Sequence, residues 1–203
     1  MKANICLHTD INENNERAST EHFHVISGIW IGGKTYWFQQ EVEELYLDEG
    51  IFLHIKKEDV QPDVNMLVVS ITNQSFCPLH AKLIFQYRQK VFQEDFSFIS
   101  PTKNVIFHLA NNTLNLISGQ SSSNTKSSCT VQPLWNIYDN KIWTCVQSGK
   151  LKYSPMANGN PVSIQIFDFD IEENETCIGK SWLISGQCET DLLKLNEMLI
   201  KTH

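Results

Sequence analysis

Short apolar runs, separated by turn-forming residues, recur along most of the chain. From residue 22 onward, runs such as IFLHIKK, VNMLVVSITN and HAKLIFQYRQ follow one another at a spacing of roughly ten residues. Each run is bounded by Gly, Pro, Asn or Asp, which favour turns. Short strands with turns between them are typical of antiparallel sandwiches and barrels. The pattern therefore predicts a mainly β, antiparallel, sandwich-like fold.

Two segments carry the clearest strand signals. The segment FHVISGIWIGGKTYWFQQ contains two β-rich runs around Gly32 and Gly33, and paired glycines supply the positive φ angles of a tight hairpin turn. Further along, apolar Phe167 and Phe169 alternate with acidic residues such as Asp168, which is the period-2 pattern of a strand with one buried face. We therefore expect an N-terminal β-hairpin and a half-buried strand near residue 168.

Only the end of the chain has helical periodicity. In TDLLKLNEMLI, residues 190–200, apolar side chains recur at Leu192, Leu195 and Leu199, as they do on one face of an amphipathic helix. The sequence therefore predicts a single C-terminal α-helix that packs on a sheet.

The composition divides the chain into segments. Residues 1–21 are polar, which predicts a flexible tail because little apolar burial offsets the entropy of ordering it. The stretch QSSSNTKSSC at 120–129 predicts a solvated Ser-rich loop or linker. It would separate a β module at 22–119, which contains the N-terminal hairpin, from a second β module at 130–203 that ends in the helix. One continuous β domain over 22–203 is the alternative.

The pentapeptide LISGQ occurs twice, at 116–120 and at 183–187. Each copy lies near the end of one of the two modules, as a repeat would require. Because the flanking residues do not align, we favour two edge strands that end in similar turns over a true repeat.

The net charge and the absence of targeting signals in the sequence limit the partners and the compartment that we expect. The chain of 203 residues has 16 Lys and Arg against 23 Asp and Glu, a formal net charge of −7. This field repels phosphates and anionic lipids, so nucleic acid is not expected as a partner. No stretch has the apolar run of a signal peptide or the roughly 18 apolar residues of a membrane span. We therefore expect a cytoplasmic protein without a membrane span, whose six scattered cysteines are reduced.

His22 and His24 form an H-x-H pair. Alternate residues of a strand share a face, so the pair could supply two metal ligands. A solvated pair at the end of the polar tail is the favoured interpretation, and metal binding is the alternative.

Four aromatic residues crowd the segment PLWNIYDNKIWTCVQSGKLKYSP, namely Trp135, Tyr138, Trp143 and Tyr153. Trp and Tyr are enriched at protein interfaces, and sugar-binding β modules use flat rings as well. The same residue types also fill the core of a β-hairpin. The sequence leaves core packing, a protein interface and a carbohydrate site open for this aromatic hairpin.

The chain contains no G-x-S-x-G elbow and no glycine pattern for phosphate binding. We therefore expect a non-enzymatic protein-binding or assembly module without a cofactor, whose partner is another protein or a second copy of the chain. It would act through a sheet face, an edge strand or the aromatic hairpin. The alternatives are a metal-dependent enzyme or metal-binding β protein that uses His22 and His24, and a β module that binds carbohydrate or a small ligand.

Overall fold

The computed structural model describes residues 22–38, 43–91, 94–123, 127–138 and 141–202. Residues 1–21, where the sequence predicts a flexible tail, lie outside the described residues, as do residues 124–126 of the Ser-rich stretch.

The described residues form fifteen β-strands and two α-helices. In chain order the strands are β1 (Phe23–Ile31), β2 (Lys34–Trp37), β3 (Glu44–Leu47), β4 (Ile51–Gln61), β5 (Val64–Asn73), β6 (Leu79–Gln89), β7 (Asp95–Ile99), β8 (Ile106–Ala110), β9 (Thr113–Ser121), β10 (Ser127–Pro133), β11 (Trp143–Cys145), β12 (Lys150–Leu151), β13 (Met156–Gly159), β14 (Pro161–Ile171) and β15 (Thr176–Gly186). The helices are α1 (Leu134–Tyr138) and α2 (Glu189–Thr202).

The strands form two antiparallel sheets and one small hairpin. The five-stranded sheet has the order β10-β14-β6-β1-β2, the eight-stranded sheet has the order β13-β7-β8-β9-β15-β5-β4-β3, and β11 pairs with β12. Both sheets contribute to one buried cluster, for example with Leu83 and Phe167 from the first sheet and Leu53 and Leu183 from the second. Alternating apolar side chains on the two inner faces thus build the core of a sandwich. The predicted mainly β, sandwich-like fold is confirmed.

Both sheets take strands from both sides of the Ser-rich stretch. In the five-stranded sheet β10 and β14 follow it, while β1, β2 and β6 precede it; β13 and β15 likewise enter the eight-stranded sheet. The stretch connects β9 of one sheet with β10 of the other, and Ser127 at its far end pairs with Phe167. Residues 22–119 and 130–203 therefore contribute to the same two sheets.

The N-terminal hairpin has the predicted turn. Strand β1 pairs with β2 from Ile31 opposite Lys34, and the two intervening residues, Gly32 and Gly33, have φ angles of 55° and 89°. These angles are unfavourable for residues with a Cβ, which explains the glycine pair.

The alternation near residue 168 also agrees with the structure. Phe167 and Phe169 on β14 are buried, whereas Asp168 between them is half-exposed and pairs with Lys82 of β6. The carboxylate of Asp170 lies 2.8 Å from Nδ1 of His80. The acidic residues thus lie on the outer face of the five-stranded sheet, beside basic partners.

The two LISGQ segments lie on neighbouring strands. Ile117 of β9 is opposite Leu183 of β15, and Leu116 is opposite Ile184. Both strands occupy the centre of the eight-stranded sheet, so the prediction of two edge strands is wrong. Their apolar residues face the core on one side and α2 on the other, which is why the segments have no polar face.

Helix α2 covers the outer face of the eight-stranded sheet. It spans the predicted segment with a small extension at each end, and Leu192 and Leu199 pack in one cluster with Trp182 of β15. The indole N–H of Trp182 donates to Oδ1 of Asn196 over 2.9 Å, and both side chains are buried. Neither helix in the described part of the chain is long and apolar enough to cross a membrane.

Candidate functional site

After β10 the chain crosses the outer face of the five-stranded sheet and forms α1. Leu134 and Ile137, three residues apart, pack against the cluster that contains Trp30 and Ile84 of the sheet. Asn136 is buried and donates its Nδ2 to Oε1 of Gln132 over 2.9 Å. A helical turn of this length is not stable alone, so these contacts hold it in place.

The structure corrects the predicted aromatic hairpin at residues 135–153. Only β11 and β12 form a hairpin, while Trp135 and Tyr138 lie on α1. The signal for the helix is present in the sequence. Leu134 and Ile137 are apolar at a spacing of three, and the two aromatic residues have the same spacing on the other side of the turn.

The structure separates the four predicted aromatic residues into two groups. Trp135, Tyr138 and Tyr153 are 61%, 71% and 67% exposed, whereas Trp143 is 7% exposed. The indole N–H of Trp143 donates to Oγ1 of Thr35 over 3.0 Å. Trp143 is therefore a core residue of the segment that covers the sheet, and the other three face solvent.

The difference in burial between Trp143 and Trp135 predicts different losses of stability when each is replaced by alanine. We expect Trp143→Ala to lower the free energy of unfolding by about 3 kcal/mol, the lower end of the range for a buried Trp, because it leaves a cavity in the small cluster that contains Trp30 and Ile84. Trp135→Ala should change it by less than about 0.5 kcal/mol, since the side chain is exposed. Urea denaturation of both variants measures the difference, and equal losses would contradict the division.

A groove of about 400 Å³ lies between α1 and β2 on the outer face of the five-stranded sheet. Its residues are Ile26, Gln86 and Arg88 of β1 and β6, Thr35 and Trp37 of β2, and Ile137 and Tyr138 of α1. Most of this surface is apolar, with a few polar side chains among the apolar ones, which is the usual composition of a ligand pocket.

Arg88 is the one charged residue among those that line the groove. Its Nη1 donates to the phenol oxygen of Tyr138 over 3.2 Å, while its Nε is buried and has no hydrogen-bond partner. No carboxylate among the described residues forms an ion pair with it. Leaving a buried charged donor unsatisfied costs at least about 1 to 3 kcal/mol, so this guanidinium requires an explanation.

Sequence reasoning does not single out Arg88. Its strand, LHAKLIFQYRQ, alternates like any other half-buried strand. Nothing in the sequence places a helical turn beside the end of that strand, and this segment is what brings Tyr138 to the guanidinium.

The histidine pair lies at the same end of the sheet. His24 is half-buried and opposite Arg88 in the β1–β6 register, whereas His22 is exposed. Partial burial lowers the pKa of His24, and the positive charges of Arg88 and Lys90 lower it further. The same charges repel a divalent cation. Among the described residues no group of three His, Cys, Asp or Glu side chains is arranged to hold a metal ion.

A serine, a histidine and an aspartate meet between the two sheets. Ser163 Oγ lies 3.1 Å from His108 Nδ1, and His108 Nε2 lies 3.6 Å from Asp95 Oδ2. These are the residue types of a nucleophilic triad, but Ser163 and His108 are fully buried. Ser163 is also 2.8 Å from Oγ of Ser97 on the opposite sheet. The cluster therefore links the two sheets and is closed to solvent.

We found no protein-family model and no curated protein that matches this chain.

Proposed function

We propose that the protein is a non-enzymatic binding module that docks a protein partner on its aromatic face, which we define as Trp135 and Tyr138 of α1 together with the groove beside them. The observation that supports this proposal most is the large exposure of both side chains on a helical turn whose other side is fixed to the sheet. Exposed Trp and Tyr rings bury much surface on binding, and they dominate the energetics of many interfaces.

The edge strands of the two sheets are less suitable as docking surfaces than the aromatic face. The edge strands β2, β3 and β13 contain four residues each, too few for an extended ladder with a partner strand. The edge of β10 is occupied because Val131 N–H donates to Ser154 O over 3.0 Å and Thr130 Oγ1 donates to Lys152 O over 2.8 Å. Short or covered edges are typical of proteins that avoid strand pairing with other chains.

Parts of both outer sheet faces are also covered. Helix α2 packs on β9 and β15 of the eight-stranded sheet, and α1 together with apolar residues between 142 and 151 packs on the five-stranded sheet. The sequence predicts a sheet face, an edge strand or the aromatic hairpin as the docking surface. Of these three, the aromatic segment has the best support, and in the structure its exposed rings lie on a helical turn beside a groove.

The test compares capture of a partner by matched variants. The immobilised protein is incubated with native lysate, the retained protein is identified and purified, and its affinity is measured by calorimetry. We expect Trp135→Ala and Tyr138→Ala each to weaken binding by about tenfold or more, as truncation of an interface hot spot does.

Tyr46→Ala is the control for this experiment. Tyr46 is 67% exposed, like the docking residues, but it lies on β3 of the other sheet beside Phe52. The control should bind like the unchanged protein. Equal binding by all three variants contradicts the proposed surface. Sedimentation at several concentrations identifies self-association, since a dimer that dissociates in Trp135→Ala makes a second copy of the chain the partner.

A further inference from the structure

We propose that the groove binds a carboxylate attached to an apolar group, with the guanidinium of Arg88 as its counter-ion. The inference deepens the proposed function and rests on it in one respect, namely that the carboxylate belongs to a protein partner as a chain terminus or an acidic side chain.

The guanidinium of Arg88 has unmet hydrogen-bonding capacity. A guanidinium has five N–H donors in a planar fork that matches a carboxylate. In the groove its Nε has no acceptor, and Nη1 has only the neutral phenol of Tyr138 at 3.2 Å. A carboxylate oxygen is a stronger acceptor than a phenol, and charge-assisted bonds are about twice as strong as neutral ones.

Tyr138 is free to move away from Arg88. Its side chain is 71% exposed and lies at the last residue of α1. Among the described residues its one side-chain hydrogen bond is the contact with Arg88. A change of its side-chain rotamer therefore opens one side of the guanidinium, and the carboxylate replaces the phenol as the partner of Arg88.

The groove has a mainly apolar lining. Ile26 and Trp37 face the groove from the sheet, and Ile137 faces it from α1. An aliphatic or aromatic group beside the carboxylate would be buried against them, at roughly 25 cal/mol for each Å² removed from water. The groove of about 400 Å³ has room for one or two side chains, which excludes a folded domain from its interior.

The charge balance favours a monoanion. Arg88 is the single cation that lines the groove, and the lowered pKa of the nearby His24 disfavours its charged form. A phosphate dianion would need a second charged donor for the same degree of neutralisation. The net charge of −7 opposes anions at long range, but that field is screened within about 8 Å at physiological ionic strength. A direct contact with Arg88 is not screened in this way.

Peptide and small-molecule probes test the inference with the intact protein. The probes are the acetylated tripeptide Ala-Ala-Phe with a free C-terminal carboxylate, the same peptide with a C-terminal amide, the amidated tripeptide Ala-Asp-Phe, and hexanoate. Binding is measured by calorimetry and by the NMR shifts of the Arg88 Nε–H and Trp37 indole groups. We expect at least one peptide carboxylate to bind at least about tenfold more tightly than the uncharged amide.

Two variants separate a specific contact from general charge. Arg88→Gln should remove the preference for the carboxylate, while Lys90→Gln removes an exposed positive charge from the same end of β6 and should retain it. Tyr138→Phe keeps the ring but removes the competing phenol, so it should bind carboxylates as tightly as the unchanged protein or more tightly. Thermal melting checks that each variant is folded, and the comparison of acid with amide needs no variant.

The outcomes are distinct. A preference for a peptide carboxylate that Arg88→Gln abolishes supports the inference, and the two acidic peptides identify a chain terminus or a side chain as its source. Binding of hexanoate with no binding of either acidic peptide overturns the protein source of the carboxylate, while the proposed function is tested separately by the effect of Trp135→Ala on partner capture. Equal binding of acid and amide, or no binding of any probe at millimolar concentration, overturns the carboxylate site. In that case the proposed function is still tested by the effect of Trp135→Ala on the affinity for the captured partner.

Discussion

Replacement of Trp182 by alanine should lower the free energy of unfolding by about 3 to 5 kcal/mol, the range for large buried aromatic residues. Trp182 is completely buried, with 0% exposure, and it joins β15 to the helix that covers the eight-stranded sheet. The variant leaves a cavity beside Leu192 and Leu199 and removes the donor to Oδ1 of buried Asn196. An unsatisfied buried amide adds about 1 to 3 kcal/mol, which places the expected loss at the upper end of the range.

Urea denaturation followed by circular dichroism measures this loss as a shift of the midpoint at constant slope. Trp135→Ala is the matched control, because the same side chain is removed from an exposed position. Trp182→Phe should show an intermediate loss, since it keeps a buried ring but not the indole N–H. A loss below about 1 kcal/mol for Trp182→Ala would contradict the packing of α2 on the sheet.

Gly119→Ala should be the second strongly destabilising change, with a loss of about 3 kcal/mol or more. A Cβ at position 119 would overlap the main-chain oxygen of Lys180 and lie 2.9 Å from Cα of Ser181, both on the neighbouring strand β15. Overpacking typically costs about 1 to 3 kcal/mol. Here the obstacle is backbone at the centre of a sheet, so no side-chain rotation relieves it.

Gly186→Ala is the control for Gly119→Ala, because both glycines occupy the same position of the pentapeptide LISGQ. At position 186 the nearest atom to a new Cβ is Cδ2 of Leu192, at 3.0 Å, which is the far end of a flexible side chain. We expect a loss below about 1 kcal/mol there. Thermal and urea unfolding of the two variants provide the comparison, and a similar loss in both would contradict the close approach of β9 and β15.

The elements with long, regular patterns are predictable from the sequence. The alternation of Phe167, Asp168 and Phe169 predicts a strand with one buried face, and the apolar positions of residues 190–200 predict α2. In both cases many residues agree on one period, so local geometry and burial act together. The hairpin at Gly32 is predictable because its turn depends on two adjacent residues alone.

The short elements are not predicted by the same reasoning. Helix α1 contains five residues, so the spacing of three that Leu134 and Ile137 show occurs only once and does not by itself distinguish a helix from a strand. It forms because Leu134 and Ile137 find an apolar cluster on the outer face of a sheet whose strands are distant in sequence. Strand β3 likewise lies in an acidic segment, and its pairing with β4 supplies the hydrogen bonds that stabilise it.

Likewise, only part of the candidate site is predictable from the sequence. The enrichment of aromatic residues around Trp135 and Tyr138 is visible in the sequence, because composition alone marks them as residues that either fill a core or bind a partner. The assignment of Trp143 to the core and of its neighbours to the surface required the positions of Thr35 and Trp30, which lie more than one hundred residues away along the chain. Arg88 gains its importance only through the segment that brings Tyr138 to it.

The two copies of LISGQ mark the limit of what the sequence by itself determines. The sequence determines that both copies form apolar strands, because side-chain type and period decide local conformation and burial. Only the tertiary structure decides that the strands are neighbours and that position 119 meets backbone while position 186 meets the end of a side chain. The physical reason is that close approach depends on which distant segment packs against a residue. Identical local sequences contain no information about that neighbour.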